Sequence, residues 1–157
     1  MKPLGSLLIY IYDLQLLAVN HEFWKNKRVL LTGHTGFKGS WLSLWLQSMG
    51  ALVYGVALRQ NNSPAMFDIA NVSRGMEHHI TDIRDLSALK DHIKVFNPQI
   101  IIHMAAQPLV RESYKEPVET FEINVMGTIN VLEAARTGKD LSVIVNVTTD
   151  KCYDNRE

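Results

Sequence analysis

One short segment, Arg28–Gly39, constrains the fold of this chain more than any other part of the sequence. Its first residues, Val29 to Thr32, are of types that suit a buried strand. Glycines follow at three positions, and a helical pattern begins directly after them. Such a turn is an anion site, because free backbone N–H groups and the positive end of the helix dipole face the same point. The segment predicts an α/β fold that binds a phosphate group.

The three glycines have distinct expected roles. Gly33 allows a sharp turn, Gly36 allows a pyrophosphate to approach the backbone, and Gly39 allows the helix to pack closely on the sheet. Phe37 and Lys38 are expected near the pyrophosphate. The spacing is G-x-x-G-x-x-G, a variant of the G-x-G-x-x-G found in many dinucleotide folds. We interpret the segment as a dinucleotide-binding turn, and a purely structural turn is the alternative.

Composition narrows the class of protein. The 157 residues carry 16 Lys and Arg against 16 Asp and Glu, so no bulk charge favours nucleic acid or an anionic membrane as a partner. The single cysteine, Cys152, excludes an intrachain disulfide and suggests a reducing compartment, the cytoplasm. The six histidines lack cysteine or carboxylate partners at ligand spacing, so no metal site is expected.

The first 22 residues differ from the rest of the chain. Positions 6–19 are apolar but include Asp13, and the run is too short to span a bilayer comfortably. We interpret 1–22 as an N-terminal extension of uncertain structure, an accessory helix or a segment outside the fold, and a signal or anchor segment is the less favoured alternative. Residues 23–157 form the predicted NAD(P)-binding domain.

From Arg28 onward, strand and helix patterns alternate. This alternation predicts a doubly wound, Rossmann-like parallel sheet in the order 3-2-1-4-5, with its ligand crevice beyond strands one and four. The predicted strands are 28–32, 52–58, 79–82, 99–103 and 141–148. The predicted helices are 37–49, 85–97 and 117–138, and 105–116 is predicted to be a loop.

Two helices have predicted apolar faces. The first helix places five large side chains on one face, Trp41, Leu42, Trp45, Leu46 and Met49. The long helix has a predicted buried stripe of Val118, Phe121, Val125, Ile129 and Leu132.

Several residues at the strand ends are candidate cofactor ligands. Small Ala105 and Ala106 would let a flat cofactor lie against the backbone, or they form a close-packed turn. His34 and His103 are interpreted as lining the pocket. Asp82 either accepts a hydrogen bond from an adenine amino group or caps a turn or helix.

The end of the second strand does not decide which coenzyme is used. An acidic residue that binds the ribose of NAD is common about 20 residues beyond the glycines. Arg59 stands there instead. It favours a 2′-phosphate or is a solvated loop residue, so the sequence leaves NAD and NADP open.

The predicted fifth strand ends in Thr148, Thr149, Asp150 and Lys151. Hydroxyl, carboxylate and amine groups side by side at a strand end suit proton transfer. A plain turn is the alternative, because turns are also rich in Thr and Asp.

These residues together resemble the extended short-chain dehydrogenase/reductase family over about residues 23–157. The resemblance rests on five segments, which begin at Thr32, Asp82, His103, Asn124 and Thr149. Within the family, the strings GHTGFKGSWL, AAQPLVR and TDKCYD look most like the CDP-glucose 4,6-dehydratases. Their reaction oxidises the sugar at C4 by hydride transfer to a nicotinamide, removes water across C5 and C6, and returns the hydride to C6.

The resemblance also implies residue roles. Thr149 orients the C4 hydroxyl, and Asp150 protonates the departing C6 oxygen. Lys151 removes the C5 proton as a neutral amine or, charged, stabilises the enolate. Ile83, Gln107, Asn124 and Thr148 join the cofactor site, with Asn124 as structural support. Arg111, Ser113 and Tyr114 are expected to face the nucleotide sugar.

One departure from the family pattern concerns catalysis. The family uses a Tyr-x-x-x-Lys pair, and no tyrosine of this sequence has a lysine four residues later. We therefore expect an incomplete domain, truncated after the fifth strand and lacking the substrate domain, that is inactive alone and acts on a nucleotide sugar only with the missing half. Alternatives are a non-catalytic nucleotide-binding module and a nucleotide-sugar epimerase or reductase. A homo-oligomer is possible.

Overall fold

A computed structural model describes residues 19–60 and 64–149. Its five strands are β1 Arg28–Thr32, β2 Leu52–Ala57, β3 Glu77–Ile80, β4 Ile100–His103 and β5 Val143–Asn146. Its α-helices are α1 His21–Trp24, α2 Phe37–Ser48, α3 Met66–Ile69, α4 Leu86–Phe96, α5 Val110–Lys115, α6 Pro117–Phe121 and α7 Thr128–Ala135. A π-helical segment, Glu122–Gly127, joins α6 to α7, and a 3-10 turn covers Val72–Gly75.

The strands form one parallel sheet in the order β3-β2-β1-β4-β5, which confirms the predicted fold class and strand order. The order reverses between β1 and β4, since β2 and β3 extend to one side and β4 and β5 to the other. A crevice at such a reversal is where parallel sheets bind ligands.

Each face of the sheet has its own apolar core. On one face, Leu30, Val56 and Ile101 pack against α4 and α7. On the other, Val29, Leu31 and Ile102 pack against α2. All three residues of β1 in these cores are at most 1% exposed. A parallel strand buried on both faces is expected to be continuously apolar, and β1 is.

The prediction for the face of α2 was wrong for its two tryptophans. Trp41 and Trp45 are 57% and 52% exposed, whereas Leu46 and Met49 are buried. The buried side of α2 also contains Gly39 and Ser43. A Cβ on Gly39 would collide with the carbonyl oxygen of Gly33, so the first turn of α2 has no room for a large side chain on this side, and Leu46 fills the space further along the helix.

The chain from α6 to α7 holds a second correction. The predicted buried stripe, hereafter the apolar stripe, is exposed: Val118 71%, Phe121 68%, Val125 45%, Ile129 48% and Leu132 43%. A different side of the helix faces the core, through Gly127, Val131, Ala134 and Ala135. The helix has two apolar faces, and its smaller residues face the sheet and α4.

Local capping explains where α4 begins and ends. Asp85 accepts a hydrogen bond from the N–H of Ala88 at 3.0 Å, an ordinary N-cap. Asn97 adopts a left-handed conformation, φ +48°, and ends the helix before Pro98. Both helix ends were predicted from the sequence.

Candidate functional site

The carboxyl ends of β1, β4 and β5 meet at one edge of the sheet. The register places Thr32 opposite His103, and His103 opposite Asn146. Residues that follow these strands, such as Gly33 and Thr148, therefore lie along the same edge.

The glycine turn lies directly against the chain that leaves β4. Gly33 has φ +76°, and a Cβ on this residue would lie 2.8 Å from the backbone nitrogen of Ala105. A Cβ on Gly39 would collide with the carbonyl oxygen of Gly33. Only glycine fits at either position. The glycine turn, α2 and the loop after β4, residues 104–109 and hereafter the β4 loop, are therefore in backbone contact.

The N-terminus of α2 opens at this turn. Gly36 is its N-cap and provides no side-chain hydrogen bond to the first turn of the helix. Phe37 and Lys38 flank the opening with exposed side chains, Phe37 at 71%. First-turn N–H groups have no partner inside their own helix, so this end can accept an anion.

A polar cleft of about 250 Å³ lies beside the turn, at the end of β2. Arg59 lines it, as do Thr35, Gln60, Ala65, Phe67, Asp68, Ser73, His78 and Ile80. Thr35 donates its hydroxyl to the carbonyl of Leu58 at 2.8 Å. The cleft offers one guanidinium and one carboxylate to a ligand.

His34 does not line the pocket, contrary to the prediction. Its side chain is fully buried, between Phe67 and His78, with ring centroids 5.2 and 5.5 Å away. Neither ring nitrogen hydrogen-bonds to any residue that the structure describes. Burial, and then repulsion from His78, lowers the pKa of His34 to about 4.

His103 is also buried, so its interpretation as a pocket-lining residue was wrong. Its Nδ1 lies 2.6 Å from the Thr32 hydroxyl, and its Nε2 lies 3.1 Å from the Thr128 hydroxyl. Burial lowers the pKa of His103. We call Thr32, His103 and Thr128 the polar joint.

The hydrogen bonds of the polar joint fix the tautomer of His103. The Thr32 oxygen accepts from the N–H groups of Met104 and Ala105, both at 3.1 Å, so its own hydrogen is directed to Nδ1 of His103. Nε2 then carries the proton and donates to Thr128, whose hydroxyl donates to the carbonyl of Asn124 at 2.7 Å.

Asn124 lies in the π-helical segment and ties it to the β4 loop. Its Oδ1 accepts from the N–H of Gln107 at 2.8 Å, and its Nδ2 donates to the carbonyl of Gln107 at 3.0 Å. The Gln107 amide also donates to the Thr120 hydroxyl at 3.1 Å. π-Helical turns often occur at functional sites, and this one is held by side-chain hydrogen bonds.

Asp82 and Ile83 lie just beyond β3. Both carboxylate oxygens of Asp82 accept hydrogen bonds from Arg84, and these bonds lower the pKa of Asp82. Ile83 is buried, and a Cβ on Gly127 would lie 2.5 Å from its Cδ1. In this structure Asp82 caps the turn, one of its two expected roles.

The candidate substrate residues lie on a helix, so the prediction of a loop over 105–116 was wrong at α5. Arg111 is exposed, Tyr114 is 84% exposed and Ser113 donates to the carbonyl of Val110 at 2.7 Å. An ion pair at i,i+3, Lys115 with Glu112 at 3.7 Å, supports the helix. No glycine interrupts α5, and the neighbouring prolines stand outside it.

The predicted catalytic residues follow β5. Thr148 is exposed, as is Thr149, and Ala106 is exposed on the neighbouring loop. Asp150 and Lys151 lie outside the described residues.

Sequence reasoning missed Thr32, Thr128 and Arg84. Thr32 and Thr128 were part of the quoted motifs, yet a hydroxyl at the end of a strand or in a helix gives no periodic signal. A buried polar residue beside a glycine turn was the available clue for Thr32.

The fold and this edge define a dinucleotide-type α/β domain, and the chain belongs to the GDP-mannose 4,6 dehydratase family, whose profile matches residues 30–157. The predicted resemblance to extended short-chain dehydrogenases/reductases is thereby confirmed. CDP-glucose 4,6-dehydratase of Salmonella typhimurium is 54% identical over 139 residues, which cover 88% of this chain and 39% of that enzyme. GDP-mannose 4,6 dehydratase 2 of Arabidopsis thaliana is 33% identical over 71% of this chain and 32% of that protein.

Solved structures show the same fold. UDP-glucose-4-epimerase of Stenotrophomonas maltophila, solved with NAD and formylated UDP-arabinopyranose, superposes with a TM-score of 0.74 at 26% identity, over 83% of this chain and 39% of that one. The Thermus thermophilus UDP-glucose 4-epimerase complex with NAD gives a TM-score of 0.63 at 33% identity, over 74% and 36%. The chain thus spans about two fifths of the length of these relatives.

Two features are absent from the described residues. None of the helices among residues 19–60 and 64–149 is long and apolar enough to cross a membrane. The same residues contain no group of three or more His, Cys, Asp or Glu side chains placed to hold a metal ion.

Proposed function

We propose that this chain is the coenzyme-binding part of a nucleotide-sugar 4,6-dehydratase that converts CDP-glucose to CDP-4-keto-6-deoxyglucose. One observation carries the proposal: Gly33 meets Ala105 at backbone contact, beside the open N-terminus of α2, at the reversal of the strand order. The 54% identity to the Salmonella enzyme supports the substrate and the reaction.

The residues present fit a dinucleotide. A pyrophosphate at the turn meets the first N–H groups of α2 and the dipole of a 12-residue helix. The cleft that Arg59 and Thr35 line, next to this turn, would hold the adenosine ribose. Bound there, the coenzyme supplies a reversible hydride acceptor for the sugar.

We propose NAD as this coenzyme, as in the solved epimerases that contain it. Arg59 is the residue expected to decide between NAD and NADP, because its guanidinium lines the described cleft. If it is aimed at the ribose, a 2′-phosphate gains an ion pair and NADP binds better.

The sugar lies beyond β5 in this proposal. Asn124 fixes the β4 loop through its two bonds to Gln107, and this loop would line the nicotinamide side of the site. Thr149 orients the C4 hydroxyl, Asp150 donates a proton to the departing C6 oxygen, and Lys151 acts at C5.

The substrate's remaining contacts come from α5 and from outside the described residues. Arg111, Ser113 and Tyr114 face the nucleotide sugar, which their position after the β4 loop supports. We also propose a cytoplasmic location, in keeping with the single cysteine.

The experiment is calorimetric titration of the chain with NAD and NADP. Gly36→Val is the test variant, because a Cβ at Gly36 meets nothing closer than 3.4 Å, so the fold survives while the side chain obstructs the pyrophosphate. We expect at least a tenfold weaker affinity. Ser48→Val, at the far end of α2, is the control and retains affinity.

Equal binding by the Gly36→Val variant and the unaltered chain would overturn the coenzyme site. A higher affinity for NADP than for NAD, abolished by Arg59→Ala, would change the coenzyme and leave the site in place.

A further inference from the structure

Within residues 19–60 and 64–149, the hydrogen bonds to the Asp82 carboxylate come from Arg84. Oδ1 accepts from the backbone N–H of Arg84 at 2.9 Å, and Oδ2 accepts from Nε at 2.9 Å and Nη2 at 2.6 Å. Oδ2 thus accepts from two guanidinium donors and Oδ1 from a backbone donor. These three bonds hold the carboxylate in one orientation. Oδ1, with one donor, retains capacity to accept another.

Arg84 is held in turn by the helix across from it. Its Nη1 donates to Glu119 of α6 at 3.2 Å and lies 3.6 Å from Glu122 of the π-helical segment. Asn130 of α7 donates to the carbonyl of Ile83 at 3.2 Å and to that of Arg84 at 2.9 Å. The turn after β3 is therefore clamped to the long helix on both sides of the π-helical segment.

The turn that contains Asp82 lies at the same edge of the sheet as the glycine turn. The N–H of Thr81 donates to the carbonyl of Ala57 at 3.0 Å, as that of Gly33 does to Val56 at 2.9 Å, so β1, β2 and β3 end at nearly the same level. Asp82 thus lies two strand spacings, about 10 Å, from the glycine turn. The adenosine half of a dinucleotide spans a distance of this order.

We propose that Arg84 is a positioning residue for adenine recognition: it orients the Asp82 carboxylate so that Oδ1 accepts a hydrogen bond from the adenine amino group. The inference rests on the proposed coenzyme site and deepens it. Arg84 itself touches no part of the coenzyme in this arrangement.

A purely structural role for Arg84 predicts a different result for its substitution. If Arg84 only fastens the turn to α6, its loss weakens every dinucleotide equally. If it acts through Asp82, its loss removes discrimination at the base. The ratio of two affinities separates these cases, whereas a single affinity does not.

The experiment compares NAD with nicotinamide hypoxanthine dinucleotide, whose base carries a carbonyl in place of the amino group. Binding of each to the 157-residue chain is measured by calorimetry. A hydrogen bond to a charged acceptor predicts about a tenfold preference for NAD. We expect Arg84→Ala to reduce the preference to twofold or less.

Two further variants sharpen the comparison. Arg84→Lys keeps the charge but cannot form the two-pronged contact with Oδ2, so we expect only partial preference. Lys90→Ala removes another ion pair of the same helix layer, Lys90 with Glu133 at 3.8 Å, and retains the full tenfold preference. Melting curves verify that all variants fold.

An Arg84→Ala chain that folds and still prefers NAD tenfold would overturn the proposal, as would an unaltered chain that binds both dinucleotides equally. In both of those results the coenzyme site itself stands. Failure of the unaltered chain to bind either dinucleotide would instead overturn the proposed function and this inference with it.

Discussion

The polar joint and the apolar stripe reverse the usual distribution of residues in a globular domain. The joint buries the Thr32 hydroxyl and the His103 imidazole, 0% and 3% exposed, and links them to the half-buried Thr128 at the start of α7. The stripe, whose residues Val118 and Phe121 stand about two to three helical turns before Thr128, leaves these two side chains about seven-tenths exposed.

The comparison shows that polar side chains can be buried where hydrogen-bond partners surround them, and that apolar side chains stay exposed where no other surface covers them. In the joint, each polar atom has a hydrogen-bond partner, so burial costs little and one geometry is selected. In the stripe, Val118 and Phe121 are mostly exposed and the other three side chains are about half exposed, so they gain much less from burial than core residues do. We therefore expect substitutions in the joint to change stability and substitutions in the stripe to change association.

The largest expected effect is at Thr32. Thr32→Val keeps the shape but leaves the N–H groups of Met104 and Ala105, and Nδ1 of His103, without their partner. Unsatisfied buried groups cost about 1 to 3 kcal/mol each, and with relaxation we expect a loss of about 4 kcal/mol in the free energy of unfolding, measured by urea denaturation.

Thr35→Val is the matched control for that substitution. Thr35 is 5% exposed and makes one donor contact, to the carbonyl of Leu58. We expect a loss of about 1 kcal/mol. Equal losses for the two variants would show that the joint contributes nothing beyond an ordinary buried hydroxyl.

The next effect is acid sensitivity from His34. Its folded-state pKa of about 4 lies below the unfolded value of 6.5, so folding disfavours the protonated ring. The unfolded state then binds more protons between these values, and stability falls as pH falls from 6.5 toward 4, by about 3 kcal/mol. Denaturation midpoints measured across this range test the slope.

Two variants assign the slope to His34. His34→Leu is expected to flatten it in part, since burial also lowers the pKa values of His92 and His103. His21→Gln, at an exposed position on α1, should leave it unchanged. An unaltered slope in His34→Leu would contradict the assignment.

The smallest effect on stability is expected in the apolar stripe. Phe121→Gln combined with Val125→Gln should change the free energy of unfolding by no more than about 0.5 kcal/mol, as at exposed sites. Exposed apolar patches favour association, so we expect the unaltered chain to self-associate and the double variant to do so about tenfold more weakly in sedimentation velocity.

Val95→Gln is the control for that experiment, since Val95 is 79% exposed but stands on α4, away from the stripe. It should leave association unchanged. A monodisperse monomer from the unaltered chain at tens of micromolar would remove the stripe from consideration as a contact surface.

Much of the fold could be predicted from short-range signals. Val29 to Leu31 followed by Gly33 predicted β1 and its turn, and Asn97 with Pro98 predicted the end of α4. The strand order followed from chain connectivity, since parallel strands need crossovers of one hand. Each of these rests on a local conformational preference or on chirality, which a sequence displays directly.

The faces of the helices could not be predicted in the same way. The five large side chains of the first helix were predicted to share one face, yet Trp41 and Trp45 are exposed while Leu46 is buried. From α6 to α7 the predicted stripe is exposed, and Ala134 is among the residues buried instead. Sequence periodicity identifies the apolar faces of a helix but not which of them packs against the sheet. That choice depends on the distance between helix and sheet, which limits the size of the side chains between them.

What the sequence determined by itself is the alternation of elements, the glycine turn and the family. Tertiary structure alone decided that His34 and His103 are buried, that Arg84 donates to Glu119 of α6, and that Asn124 holds the β4 loop. Those contacts join residues 71 positions apart in the case of Thr32 and His103, and 17 in the case of Gln107 and Asn124. The physical reason is that a hydrogen bond depends on where two atoms lie in space, which only the packed sheet and helices define.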